Sequence, residues 1–286
     1  MKSPSVYLLI LTWNSRKNIL ECLESVKALD YDNLHVVVID NGSSDGTVAA
    51  VKDGYGDKVT LIENGENLMF AKGNNVGIRY ALEQKADYIM LMNDDVAVDS
   101  SMISELVQAA ESATDIGVVG PKIYYWEPKD QIWFAGGKIY LHRGTGVHIG
   151  IRETDRGQYD EQRDVDYITG CALMMKRTVI EEIGLLDPAY FFYWEDADWC
   201  MRARRAGNRL VYVPTAKLWH KISASSGGQL SKRKISAKLR SGVVFFRRYA
   251  KWYHWLTIPV CFGLDALRIL LLILCGKFRK GLPSNK

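Results

Sequence analysis

The sequence predicts an α/β protein whose central sheet is mostly parallel and covered by helices on both faces. Two observations carry that prediction. Apolar runs alternate with amphipathic stretches through the first third of the chain, and those runs are apolar on every residue rather than every second one. At 286 residues the chain can also bury a sizeable core.

The elements follow in order. "SVYLLIL" is the first strand; the opening "MKSPSVYLLILTWN" imitates a secretory leader but lacks a small-residue cleavage site and runs into Asn14. A helix runs from about Ser15 to Leu29, with Ile19, Leu20, Leu23 and Val26 as its apolar stripe. "LHVVVID" is the second strand, and "NGSSDGT" is a loop in which Ser44 or Asp45 caps the helix starting "TVAAVK". "VTLIE", "AKGNNVGIRYALEQ" and "DYIMLM" read as strand, helix and strand.

Beyond Asp99 the pattern loosens. A helix near Ser100 to Ser112 leads into "IGVVGPKIYY", and aromatic, Gly-rich segments between Trp133 and Ile151 look like hairpins. "RETDRGQYDEQRD" reads as a mobile polar loop. "VDYITGCALMMKR" is a strand, "TVIEEIG" a short helix, "DADWCMRARRAG" a helix closing on Gly207, and "RLVYVP" a final strand. Residues 1–222 are thus one domain, 223–240 a flexible basic lid or linker, and 241–286 a membrane-associating helical segment.

Formal net charge is only +4, which gives no bulk case for nucleic acid. The charge is uneven, however. From Lys217 onward Asp265 is the single acidic residue among many Lys and Arg, so an anionic surface is the expected partner of this end. Trp255 to Cys275 is long enough to span a bilayer, but Pro259, Gly263, Asp265 and Arg268 oppose a lone span. His254, Thr257, Cys261, Asp265 and Arg268 form one narrow stripe at helical spacing. That pattern fits an interfacial helix, or a homo-oligomer with the stripe inward. The five cysteines are scattered without a C-x-x-C pair, which disfavours a disulfide framework or zinc site and fits a reducing compartment.

Ligands of open parallel sheets collect at the carboxyl ends of the strands. Thr12 and Asn14 follow strand one, Asp40 and Asn41 follow strand two, and Asn93, Asp94 and Asp95 follow strand four. No G-x-G-x-x-G follows the first strand and no P-loop motif occurs, so neither a dinucleotide nor a P-loop phosphate site is expected. Carboxylates tolerate a diphosphate when Mg²⁺ or Mn²⁺ lies between them, and that would explain adjacent Asp94 and Asp95. A second cluster is "YFFYWEDADWC". Its Glu195, Asp196 and Asp198 suit a helix N-terminus, and one of them beside an aromatic wall could take a proton from a sugar hydroxyl. His220 in "AKLWHK" could complete a metal site.

Together "ILTWNSRKNILECLESV", "VVVIDNGSSDGT", "NLMFAKGNNVGIRYA", "LMNDDV", "TGCALMMKR" and "IGLLDPAYFFYWEDADWCMRARRAGNRLVYVPTAKLWH" resemble glycosyltransferase family 2, with its A-type nucleotide-sugar-binding fold. The last block looks most like the rhamnosyltransferase-type members that build bacterial cell-surface polysaccharides. The resemblance implies an inverting, metal-dependent glycosyltransferase using a dTDP- or UDP-linked sugar, rhamnose by family likeness, and a lipid-linked saccharide acceptor at the cytoplasmic face of the membrane. It implies roles residue by residue. Thr12 and Asp40 would line the base pocket, Asn67 and Lys72 border the donor, and Asn93 take the first position of a D-x-D-like motif. Asp94 would face the ribose, and Asp95 the metal with His220. Gly170 would adjoin the donor sugar, with Trp194 and Glu195 on the acceptor side and Asp196 as base. A polyprenyl-phosphate glycosyltransferase and a non-catalytic nucleotide-sugar-binding scaffold are the alternatives.

Overall fold

The structure is a computed structural model that describes residues 3–190, 192–221 and 232–274. The chain opens with β1 (Val6–Thr12), α1 (Arg16–Val26), β2 (Leu34–Asp40), α2 (Thr47–Tyr55), β3 (Thr60–Glu63), α3 (Met69–Glu83) and β4 (Tyr88–Asn93). It continues through β5 (Val96–Val98), α4 (Met102–Glu111), β6 (Ile116–Tyr125), β7 (Ile132–Phe134), β8 (Gly137–Tyr140), β9 (Thr145–His148) and β10 (Arg163–Asp164). It then adds β11 (Ala172–Lys176), α5 (Arg177–Ile183), α6 (Glu195–Arg205), β12 (Arg209–His220), α7 (Lys232–Tyr249) and α8 (His254–Leu274).

The main path of the sheet runs β10-β12-β6-β11-β4-β1-β2-β3, with β5 on β12 and β7 on β6. β1 is parallel to β2 and β4, β2 to β3, and β6 to β12. β11 alone reverses among the central strands, pairing antiparallel with both β4 and β6. Val6, Leu8, Leu9 and Ile10 of β1 and Ile89, Met90 and Leu91 of β4 are fully buried, as strands covered on both faces must be.

Several sequence expectations change. Gly46 rather than Ser44 or Asp45 occupies the cap position of α2, and Asp45 Oδ1 accepts from the Thr47 amide at 3.1 Å from one residue earlier. The polar segment read as a mobile loop is instead pinned. Fully buried Lys122 of β6 donates to Asp155 Oδ2 at 2.8 Å and also pairs with Asp160, and β10 closes the segment onto β12. The final strand runs on to His220, because β12 follows β6 over its whole length with a bulge between Val213 and Lys217. Residues 232–240, expected as linker, are the first turns of α7; Ala237, Phe245 and Tyr249 bury one side of that helix. The rest of the expected lid, 222–231, lies outside the described residues.

α8 is helical through Pro259, and no helix among the described residues is long and apolar enough to cross a membrane. It sits on the tip of the β8–β9 hairpin, where Thr257 Oγ1 donates to the His142 carbonyl at 2.7 Å. A side chain at Gly144 would stand 3.2 Å from Ile258, so bare backbone lets the helix approach. The Asp265 and Arg268 part of the predicted stripe lies outside the described side chains.

Candidate active site

Strand register places the polar residues on one edge. Thr12 is paired with Asp40 across β1 and β2, Leu11 with Asn93 across β1 and β4, and His220 with Val96 across β12 and β5. The reversed β11 starts at this edge, so the Asn93 amide donates to the Cys171 carbonyl at 3.0 Å.

Asp40 is 2 % exposed. Its Oδ2 accepts from the amides of Gly42 and Ser43, both at 2.9 Å, while Oδ1 is buried without a hydrogen-bond partner. Gly42 is required for that turn: its φ is +74° and an added Cβ would meet the Glu66 backbone at 2.8 Å. Asn14 braces the same loop, accepting from the Ser44 amide at 2.7 Å. Asn41 and Asn67 also act as braces. Asn64 donates to Asn41 Oδ1 at 2.8 Å, and Asn67 Oδ1 accepts from the Met69 amide at 2.9 Å at the entry to α3. Lys72 stands exposed on α3.

The adjacent carboxylates have separate partners. Thr12 Oγ1 donates to Asp94 Oδ2 at 2.6 Å across the strand end. Burial pushes Asp94 up to about 6; the Asp95 charge adds to that, and the Thr12 bond opposes it. Asp95 Oδ1 lies 3.0 Å from His220 Nε2, with both side chains under a tenth exposed. Asn93 Nδ2 is 3.5 Å from that same ring nitrogen. Burial opposes charge on His220, but Cys171 and Asp95 outweigh it and raise its proton affinity. Trp133 stands edge-on to His220 at 4.7 Å and to His148 at 4.5 Å. No spacing rule marked Trp133 or His148, since they come from separate short strands of an irregular region.

The second cluster meets the first through Gly170, whose amide donates to Asp196 Oδ2 at 2.8 Å; Asp196 Oδ1 accepts from Ala197 N at 2.7 Å. Both residues were singled out by sequence, and the structure joins them. Burial raises Asp196 against those amide bonds. Glu195 is 6 % exposed, has a buried Oε2 without a hydrogen-bond partner, and is pushed up to about 8 by burial and then by Asp196. Both neighbouring carboxyls are thus pushed upward, and each charge opposes the other.

Part of the aromatic run is packed inside the protein. Tyr190 is buried, its hydroxyl donating to Asp198 Oδ1 at 3.0 Å, and Phe191 lies outside the described residues. Trp194, expected on the acceptor side, packs on Phe245 at 4.6 Å and Phe246 at 5.1 Å. Tyr193 and Trp194 both have left-handed backbone, φ 70° and 73°. Each such residue costs about 1–2 kcal/mol, which surrounding contacts must offset.

Among the described residues no group of three or more His, Cys, Asp and Glu could hold a metal. Asp95 and His220 supply one oxygen and one nitrogen, a donor set that suits Mn²⁺ or Mg²⁺ when other ligands come from a bound molecule.

An A-type sheet with carboxylates, a histidine and a half-buried aspartate gathered along its strand-end edge defines a glycosyltransferase. The sequence profile of Glycosyl transferase family 2 matches residues 7–184, more than half of the chain, and the protein belongs to that family. It is similar to the dTDP-rhamnosyl transferase RfbF of Shigella flexneri, 28 % identical over 78 % of this chain and 71 % of that one. It is 27 % identical to the N-acetylglucosaminyl-diphospho-decaprenol L-rhamnosyltransferase of Mycobacterium tuberculosis over 85 % of each chain. The low-salt glycan biosynthesis hexosyltransferase Agl10 of Haloferax volcanii is 26 % identical over 69 % of this chain, which spans 61 % of that protein. Among solved structures, the mannosyltransferase PcManGT from Pyrobaculum calidifontis with GDP-Man and Mn²⁺ shares the fold. Its TM-score is 0.66 at 17 % identity, over 97 % of this chain and 80 % of that one. The profile match ends at residue 184, before α6 and Asp196.

Proposed function

We propose that the protein transfers a deoxyhexose, L-rhamnose, from a dTDP-linked donor to a hydroxyl of a polyprenyl-diphosphate-linked saccharide, with inversion. The observation that carries this reading is the Gly170–Asp196 bond. It sets the Asp196 carboxylate beside the edge that holds Asp40, Asp94, Asp95 and His220. One in-line displacement needs one base. Asp196 would take the proton of the acceptor hydroxyl as it attacks the anomeric carbon. The open Oδ1 of Asp40 would accept from the imide N–H of thymine or uracil, which have a single such donor. Asp94 would meet the ribose. Asp95 and His220 would hold the divalent cation, which when bound neutralises charge on the leaving diphosphate. The two rhamnosyltransferase relatives support the sugar, and the mycobacterial one supports the lipid-linked acceptor.

The acceptor chemistry makes the membrane surface a natural partner, and α8 is suited to it. Trp252, Leu256, Val260 and Leu264 are all more than half exposed beside basic Lys251 and Arg247. Leu256→Glu in the full chain should cut sedimentation with phosphatidylglycerol vesicles, and undiminished sedimentation counts against this surface. A thermal-shift screen of dTDP-, UDP- and GDP-sugars with Mn²⁺ tests the donor. Stabilisation by GDP-mannose but not by dTDP-rhamnose would overturn the base assignment. Calorimetry of dTDP with Asp95→Asn should show Mn²⁺-dependent affinity lost.

A further inference from the structure

We infer that α7, which follows the catalytic strands in the chain, is a working part of the site, and that Arg248 is a positioning residue for the base. The inference rests on the assignment of Asp196 as base. Asp198 lies two residues from Asp196 in the first turn of α6 and is fully buried. A buried carboxylate needs compensating donors, and four side chains converge on it. Tyr190 Oη donates to Oδ1 at 3.0 Å, Tyr249 Oη at 2.8 Å and Arg248 Nη1 at 2.7 Å, while Arg202 Nε donates to Oδ2 at 3.0 Å. Arg248 Nη2 also donates to Asp187 Oδ2 at 2.7 Å. One planar guanidinium from α7 therefore ties the first turn of α6 to the segment before it. That bidentate geometry belongs to arginine and not to lysine.

A second, independent contact acts on the other side of Asp196. The Trp194 ring packs on Phe245 and Phe246 of α7, and a methyl placed on Gly242 would stand 3.4 Å from its indole nitrogen. Trp194, just before the Glu195–Asp196 pair, and Asp198, two residues beyond Asp196, are thus both held by α7. A helix end held on both sides can neither rotate about its axis nor unwind. The direction of the Asp196 carboxylate towards the acceptor hydroxyl depends on that. Among the described residues Arg248 meets Asp187, Asp198 and Tyr190, away from β1, β2 and β4, where the donor would sit.

The consequence is a split in kinetics. With dTDP-rhamnose as donor and a polyprenyl-diphosphate N-acetylglucosamine acceptor, Arg248→Met should lower kcat by about 10- to 100-fold, the loss expected for a displaced catalytic group. KM for the donor should stay within about twofold when measured well below the melting temperature. Arg248→Lys, which can keep one of the two contacts, should recover part of the rate and decides the matter if the methionine variant does not fold. Amide exchange in residues 195–199 should quicken in both variants while exchange in β1 and β4 stays unchanged. A kcat within about twofold of wild type in the folded variants overturns the inference, as does unchanged exchange in α6. Asp196→Asn is run beside them. If it keeps full transfer, the base assignment has failed. If it is inactive while the Arg248 variants turn over normally, only the positioning role has failed.

Discussion

Asp196→Asn separates chemistry from stability, and the structure sets the size of each effect. Asn keeps the shape and one accepting oxygen, so one of the Gly170 and Ala197 amides keeps its bond and the other loses its acceptor. A buried amide left unpaired costs about 1–3 kcal/mol. Against this, burial already outweighs both amide bonds, because the Asp196 pKa is raised despite them. The folded protein therefore prefers a neutral group here, and Asn supplies one. The two effects oppose each other, so melting at neutral pH should move by no more than a few degrees. Transfer should fall by about 10²- to 10⁴-fold, or roughly 2.7–5.5 kcal/mol of barrier. The pH dependence fixes the sign. A carboxyl that binds its proton more tightly when folded loses stability as pH rises from the ordinary carboxylate range through its raised value. Wild type should show that loss, and Asp196→Asn should lack its share. Activity of wild type should fall on the acid side through the same raised value. Nucleotide release, with thermal melts at several pH values, measures all three. Transfer by the variant within tenfold of wild type, or a large drop in its melting temperature at neutral pH, would refute the reasoning.

Other outcomes follow from the same contacts. Glu195→Gln replaces a carboxyl that holds its proton up to about 8. It should keep most activity at pH 7 and gain stability over wild type as pH rises from the ordinary carboxylate range to about 8, with the gain constant above that; melts from about pH 5 to 9 check this. Lys122→Met removes the fully buried ammonium that pairs with Asp155 and Asp160, so residues 152–164 should exchange amides faster and be nicked sooner by protease. Gly170→Ala puts a methyl 2.9 Å from the Phe70 ring and 3.5 Å from Asp196 Cβ. Crowding should lower stability by about 1–3 kcal/mol and lower kcat more than it raises donor KM, as steady-state rates would show.

The donor half of the molecule was legible because its signals are local. Apolar runs with polar ends identify β1, β2 and β4, and the residues at those ends, Thr12, Asp40 and Asn93, do share an edge. What sequence could not separate was bracing from binding. Asn14, Asn41 and Asn67 sit where ligands collect, and their side-chain oxygens also hold loops, a role that residue type does not announce. The direction of β11 was also hidden, since a strand buried on both faces reads the same either way. Lys122 looked like a surface residue in an apolar run, and its carboxylate partners lie 33 and 38 residues away. α7 could have been found. Ala237, Ser241, Phe245 and Tyr249 repeat at helical spacing and are all buried, but the small polar residues before them drew the reading towards a linker.

The reversed strand has a further consequence. Every parallel strand leaves the catalytic edge through a loop that must return the chain across the molecule, so altering such a loop disturbs a helix packed on the sheet. β11 instead enters the sheet there, and the segment delivering it, Tyr167 to Gly170, carries the amide that holds Asp196. That segment ties the strand-end edge to the first turn of α6, and the Asn93 amide on the Cys171 carbonyl fixes where it enters the sheet.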